Sequence, residues 1–171
     1  PELRGYRFLS AKKILFAWNI SEDKIGNFDI PSDVEGEAHV SVSARMEREL
    51  AEIEDEEEKQ MFMTDLGLTE SALDRVISKT YQLLGLITFL TAGGTNEARA
   101  WPVFDGGTAL DAAGVLHTDF QKGFIRAEVL GWDDFLECGD FKTAKDKGLM
   151  RLEGKEYKVK DGDIITFRFN V

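Results

Sequence analysis

The sequence predicts an α+β chain in two parts, an α/β segment closed by helices and a β-grasp, ubiquitin-like domain. Three observations carry that prediction. Lys13-Ile14-Leu15-Phe16-Ala17-Trp18-Asn19 is a continuous apolar run ended by a polar residue, the pattern of a buried parallel-sheet strand. From Arg45 to Leu84 the apolar residues recur at helical spacing. After Gly85 the period shortens to two residues, and turn residues separate strand-like stretches up to Phe169. A chain of 171 residues with 43% hydrophobic content buries about two-thirds of its unfolded surface, enough for one medium or two small cores.

The elements follow in order. Beyond the first strand lies Asn19-Ile20-Ser21-Glu22, at a carboxyl end where open α/β sheets bind ligands. A second strand, Ala38 to Val42, runs into Ser43-Ala44, so two strand ends are expected to line one pocket. Met46, Leu50 and Ile53 mark a helix, and Asp55-x-x-Glu58 opens another through Leu66. The acidic run Glu54 to Glu58 is expected to serve as a solvated capping segment rather than a metal site. Leu73, Val76, Ile77, Tyr81 and Leu84 form the apolar stripe of a third helix, with Thr69 as its N-cap. Gly85 ends it, and a domain boundary is expected there: residues 1–44, 45–84 as a helical connector, and 85–171. Strands at Leu86–Thr91 and Ala98–Phe104 are joined by a Gly-containing hairpin loop, and Pro102 favours an edge position. Thr108-x-x-Asp111 is a capping box for a short helix. Then come a strand at Phe124–Leu130, short helices at Trp132–Cys138 and Lys142–Lys147, and closing strands at Tyr157–Val159 and Ile164–Phe169. Trp101 and Trp132 are expected in the core.

Charge narrows the partners. The net charge of -11 argues against nonspecific coating of nucleic acid, and the acid is concentrated upstream: residues 1–84 carry 10 basic and 18 acidic side chains, residues 85–171 carry 11 and 14. Between Asp140 and Lys160 the balance reverses to seven basic against four acidic, so Lys142, Lys145, Lys147, Lys155 and Lys158 are candidate contacts to an anion. No apolar run approaches the roughly 20 residues of a membrane-spanning helix, and no membrane partner is expected. The chain starts Pro1-Glu2-Leu3 without Met or a leader, which suggests a piece of a longer chain. One cysteine, Cys138, suits a cytoplasmic location. His39, His117 and Cys138 lack metal-ligand spacing, so no metal is assigned, and His117 is expected to lock its loop through the backbone.

Several segments together carry a resemblance. They are Leu3 to Ser10, Asn19-Ile20-Ser21-Glu22, Val42-Ser43-Ala44-Arg45, Glu54 to Glu58, Asp65-Leu66-Gly67-Leu68, Gly85 to Phe89, Ala98 to Trp101, Ala112 to Phe120, Lys122 to Ile125 and Phe167 to Val171. The chain resembles the second half of YchF-type (Obg-like) ATPases of the P-loop GTPase superfamily. That resemblance implies the remnant of a Ras-like α/β nucleotide-binding domain, a helical connector and a C-terminal β-grasp TGS domain, a module associated with RNA or ribosome contacts. It further implies binding and hydrolysis of ATP with magnesium, GTP less well, when the protein is intact.

Guanine-specific relatives read the base with N-K-x-D. Here Asn19-Ile20-Ser21-Glu22 replaces Lys by Ile20 and Asp by the longer Glu22, which displaces the bidentate contact to guanine. The resemblance implies that Asn19 and the Ile20 backbone accept the adenine amino group, with Ser43 and Ala44 offering backbone groups opposite. No G-x-x-x-x-G-K-[ST] phosphate loop occurs in these residues; Gly148 to Gly154-Lys155 has one residue too many and reads as a turn. This chain alone is therefore expected to have no catalytic residue, no turnover and no tight hold on nucleotide. The competing expectation is a stand-alone TGS module that binds RNA or the ribosome with no nucleotide role. A third, the TGS part of an alarmone synthetase or threonyl-tRNA synthetase, does not fit Asn19-to-Glu22 followed by Ser43-Ala44.

Overall fold

A computed structural model describes residues 8–25, 27–92 and 97–170. The Leu3–Arg7 part of the first motif, the tip of the Ala92–Glu97 hairpin loop and Val171 lie outside the described residues. The chain divides into two compact units, Pro1–Leu84 and Gly85–Val171.

In the first unit, β1 (Leu15–Asn19) and β2 (Ala38–Val42) pair in parallel, Leu15 beside Ala38 and Asn19 beside Val42. The apolar run does form a parallel strand, but it is not buried: Leu15, Phe16 and Trp18 are half-buried and Ala17 is exposed. With two strands and helical cover, the ribbon lacks the two packed faces that a continuous apolar strand requires. Trp18 lies against Phe28 with ring centroids 5.6 Å apart. Helices α1 (Ala44–Glu52), α2 (Glu56–Asp65) and α3 (Ala72–Leu84) follow. Met46 and Leu50 pack with Met63 and Leu68 into a small core, flanked by Ile25, Ile53 and Phe62. Asp55 caps α2 by accepting from the Glu57 and Glu58 N–H groups at 2.8 and 3.0 Å.

The third helix departs from expectation at both its cap and its face. Its cap is Ser71, not Thr69: the Ser71 hydroxyl accepts from Asp74 N–H and donates to the Asp74 carboxylate. Leu73, Ile77 and Leu84 are exposed, while Ala72 is buried and Arg75, Val76 and Thr80 turn inward. Fixed hydrogen bonds set that rotation. Arg75 donates to Ser41 O on β2 at 3.1 Å, Ala72 N–H donates to the Glu47 carboxylate at 2.7 Å, and the Lys13 ammonium donates to Leu83 O.

The second unit is a five-stranded mixed sheet in the order β4-β3-β7-β5-β6, made of β3 (Leu86–Thr91), β4 (Arg99–Phe104), β5 (Phe124–Gly131), β6 (Arg151–Glu153) and β7 (Asp163–Phe169). The pairings are antiparallel except β3 with β7, and β4 is an edge strand, where Pro102 costs no ladder bond. Helix α4 (Ala109–Leu116) packs on one face, completing a β-grasp arrangement. Ala109, Ala112 and Ala113 are fully buried, so small side chains let the helix approach Phe89, Val129, Ile165 and Phe167. The Thr108–Asp111 capping box forms in both directions. Its backbone and hydroxyl bonds hold the Asp111 carboxyl below the usual carboxylate range. Further helices are α5 (Thr118–Lys122), α6 (Trp132–Cys138) and α7 (Phe141–Asp146). A Cβ at Gly123 would collide with the Asn170 carbonyl, where Asn170 N–H donates to Gly123 O.

Tyr157–Val159 is not a strand. Its backbone pairs instead with the start of α4, through Ala109 N–H to Tyr157 O and a bridge between Thr108 and Lys158, and Arg151–Glu153 supplies the sheet edge. Trp132 is 44% exposed rather than in the core; Trp101 is half-buried and donates to Thr91 Oγ1 at 3.0 Å.

Asp163, only 2% exposed, accepts from Tyr157 OH at 2.8 Å and Lys160 N–H at 2.9 Å and sits 3.5 Å from the Arg151 guanidinium. Burial, and then the bond to Asp163, push the Tyr157 phenol up from 10.0 to about 12. A raised folded pKa means stability is complete below pH 10 and is lost as pH climbs towards 12, because the unfolded phenol ionises first. Denaturant unfolding across that window should show an alkaline slope that is reduced in Tyr157→Phe; an unchanged slope would count against the buried phenol.

Candidate functional site

The candidate site is built at the carboxyl ends of β1 and β2. Because Asn19 and Val42 are register partners, the chain leaves both strands at the same edge. Ile20 N–H donates to Val42 O at 2.8 Å, extending the ladder by one bond. Asn19 Oδ1 then accepts from Ala44 N–H at 3.2 Å, tying the first loop to the first turn of α1. One of the orphan donors of that helix end is satisfied by the residue expected to read the base.

These bonds decide which groups remain for a ligand. The Asn19 side-chain oxygen is engaged, which leaves its amide N–H groups as the outward donors. The Ile20 N–H is engaged, which leaves its carbonyl as an acceptor. Ser43, 3% exposed, caps α1 by accepting from Met46 N–H at 3.4 Å, and its carbonyl accepts from Glu47 N–H. Ser43 therefore supports the loop, its hydroxyl oxygen and its carbonyl each accepting one bond from the first turn of α1.

Glu22 is held differently. It opens a 3-10 turn, Glu22–Lys24, and its carboxylate lies 3.3 Å from Arg45 Nε, which also bonds Glu49 at 3.1 Å. The two carboxylates raise the Arg45 pKa, the hydrogen bond that Arg45 donates to Glu49 contributing most. In the sequence Glu22 is an acid one methylene too long for guanine; in the structure it is also paired with a cation of α1. Arg45 was not singled out in the sequence, and the signal for it is its place one turn before Glu49.

The lysine cluster is divided by the fold. Lys142 and Lys145 are exposed on α7, and Lys147 follows its end. Lys155 and Lys158 sit instead on the segment paired with the start of α4. Lys158 Nζ donates to Gly106 O at 2.7 Å, close to the Asp111 carboxylate whose pKa it helps to lower. The five lysines are thus carried by two different elements, and among the described residues only the Lys158 ammonium of the five donates a hydrogen bond to the protein. His117 Nδ1 accepts from Asp119 N–H at 3.1 Å and caps α5, a locking bond of the kind expected from its loop position. No group of three or more His, Cys, Asp or Glu side chains able to hold a metal occurs among the described residues, and no helix there is long and apolar enough to cross a membrane.

Residues 86–170 match the family described as YchF-GTPase_C, a protein of unknown function (DUF933). Along 99% of its length the chain is 49% identical to the ribosome-binding ATPase YchF of Haemophilus ducreyi and 46% identical to that of Bacillus subtilis. The chain belongs to the YchF family. It spans 48% of the length of these curated YchF relatives and corresponds to their C-terminal half. Among solved structures, the Schizosaccharomyces pombe YchF GTPase superposes with a TM-score of 0.75 and 28% identity, over 94% of this chain and 44% of that one. A GTP-binding protein from Pyrococcus horikoshii, at 20% identity and TM-score 0.56, shares the fold.

The bond from Ala44 N–H to Asn19 gives the YchF-type strand end a structural role that can be measured apart from ligand binding. Asn19→Ala should destabilise the first unit by about 1 kcal/mol, the usual net worth of one hydrogen bond, and Asn19→Asp, which keeps an acceptor, by less. Urea unfolding of the two variants should separate in that order; equal losses would mean that the Ala44 bond contributes nothing.

Proposed function

We propose that this chain supplies the adenine-reading wall and the C-terminal TGS domain of a protein that, when intact, binds and hydrolyses ATP with magnesium and contacts the ribosome in the cytoplasm. The observation that carries the base preference is the pairing of Glu22 with Arg45, beside an Ile20 whose free backbone group is an acceptor. Guanine presents an N–H edge that needs a carboxylate, and the carboxylate at this site is engaged. Adenine presents an amino donor where guanine presents its O6 acceptor, and a carbonyl oxygen suits that donor. Asn19, with its oxygen tied to Ala44, would offer its amide donors to a ring nitrogen of the base.

The residues present fit the base and not the phosphates. Phosphate and magnesium would be held by segments outside this sequence, so the fragment is proposed to be inactive alone. The ribosome contact is supported by the names of the curated relatives, and the second unit is the proposed carrier. A binding module without a nucleotide role is the second reading, favoured by the separation of the second unit as a compact body.

Titrating the full-length protein with ATP and GTP checks the base preference: ATP should bind more tightly, and equal affinities would sink it. Asn19→Asp should weaken both nucleotides on the order of tenfold, the worth of one well-placed hydrogen bond. Arg45→Ala frees Glu22 and should narrow the ATP-over-GTP ratio severalfold. Ribosome binding by the full-length protein that is indifferent to nucleotide would favour the second reading.

A further inference from the structure

The second unit holds a cleft of about 670 Å³ between the start of α6 and the turn before β7, lined by Trp132, Asp133, Asp134, Arg151, Lys160 and Asp161 among others. Its charges sort into those already used and those left over. The Arg151 guanidinium is occupied by Asp163 at 3.5 Å and by Tyr157 OH at 3.2 Å, and it stacks over the Tyr157 ring with 5.5 Å to the centroid. Asp163 is buried and satisfied. What remains is the exposed Asp133 and Asp161 and the half-buried Asp134 against the exposed Lys160, and no ion pair reaches those three carboxylates among the described residues. Beside them lies Trp132, 44% accessible, with its ring centroid 6.3 Å from that of Phe135.

Parts of this cleft are held in place. Asp161 Oδ1 accepts from Thr88 N–H at 2.7 Å, which aims its second oxygen outward. Gly162 has φ +79° and passes so close to Trp132 that a Cβ there would lie 3.3 Å from the Trp132 Cβ. An aromatic face flanked by carboxylates is complementary to a cation that can both stack and pair: an arginine or, less well, a lysine. It is poorly matched to a phosphate, which would meet three carboxylates for one free lysine.

We propose that this cleft receives an arginine or lysine side chain from a basic, extended protein segment, so that the ribosome contact of the second unit is made at least in part to protein rather than to RNA. The proposal rests on the ribosome-binding reading above and names its partner class. Its volume suits one or two long side chains and not a folded domain.

The test uses the full 171-residue chain and a fluorescein-labelled peptide of alternating arginine and glycine, read by anisotropy. Binding should weaken about tenfold in the combined Asp133→Asn, Asp134→Asn, Asp161→Asn variant, since each exposed pair contributes about 0.5 kcal/mol. Trp132→Ala should cost about threefold to fivefold, the range of an exposed cation–π contact. Lys160→Gln, an exposed change that leaves the fold alone, should tighten the peptide. Asp161→Asn retains the acceptor for Thr88, and thermal melting followed by circular dichroism checks that the combined variant is folded. Peptide affinity unchanged in the combined variant, or weakened by Lys160→Gln, overturns the proposal. So does a single-stranded RNA oligonucleotide that binds more tightly than the peptide and loses affinity on Lys160→Gln. Co-sedimentation of the full-length protein with ribosomes separates the two levels. Wild-type protein that sediments equally well with and without the three Asn substitutions retains the ribosome contact and defeats the cleft; wild-type protein that fails to sediment, while the peptide effects hold, defeats the ribosome contact alone.

Discussion

The first unit depends on the closure of two parallel strand ends by one side chain. Parallel strands cannot be joined by a tight turn, so β1 and β2 leave their shared edge as independent loops, and something must fix them to each other. Asn19 does this by accepting from the first N–H of α1. The same helix end would otherwise carry an unpaired donor, so the bond satisfies α1, orients the Asn19 amide and holds Ile20 next to Val42. Ser43 repeats the device one residue earlier by capping from a buried position. The base-reading wall proposed for these residues would draw its geometry from helix capping.

How much of this was legible depended on whether a feature was local. Strand ends, the Asp55 cap, the Thr108–Asp111 box and the edge position of Pro102 follow from short-range stereochemistry and appear where the sequence puts them. The capping of α3 was misplaced by two residues because Thr69 and Ser71 are chemically alike, and only the bond to Asp74 distinguishes them. Tyr157–Val159 has strand composition, yet its backbone is claimed by the start of α4, a long-range pairing that composition does not record. The apolar stripe of α3 was read one face off because Arg75, a polar residue, faces inward to bond Ser41 O.

At the candidate site, Asn19, Ile20, Glu22, Ser43 and Ala44 were all visible in the sequence as residues. Their remaining hydrogen-bonding capacity was not. That Glu22 is paired with Arg45 and that Ser43 turns its hydroxyl to Met46 are facts of three dimensions, since residues 22 and 45 lie on different elements. The lysine cluster is spread over more than one element. Lys142 and Lys145 lie on α7, whereas Lys155 and Lys158 lie on the segment beside α4, so the local charge sum of +3 is carried by two different stretches of backbone.

The same accounting of spent and unspent groups orders the whole acidic chain. Arg45, Arg151 and Lys158 already bond Glu22 and Glu49, Asp163, and Gly106 O, so part of their donor capacity is used within the protein. Glu22 and Asp163 are correspondingly removed from the acids a partner would meet. Net charge therefore misleads in both directions: a basic stretch can present little free cation, and a stretch counted as neutral can present free carboxylate. Around Trp132 the internal pairing of Arg151 with Asp163 cancels one charge of each sign and leaves Asp133 and Asp161 exposed, with Asp134 half-buried beside them. The pairing that stabilises the buried end of β7 thus also fixes the sign of the field that a partner meets at its mouth.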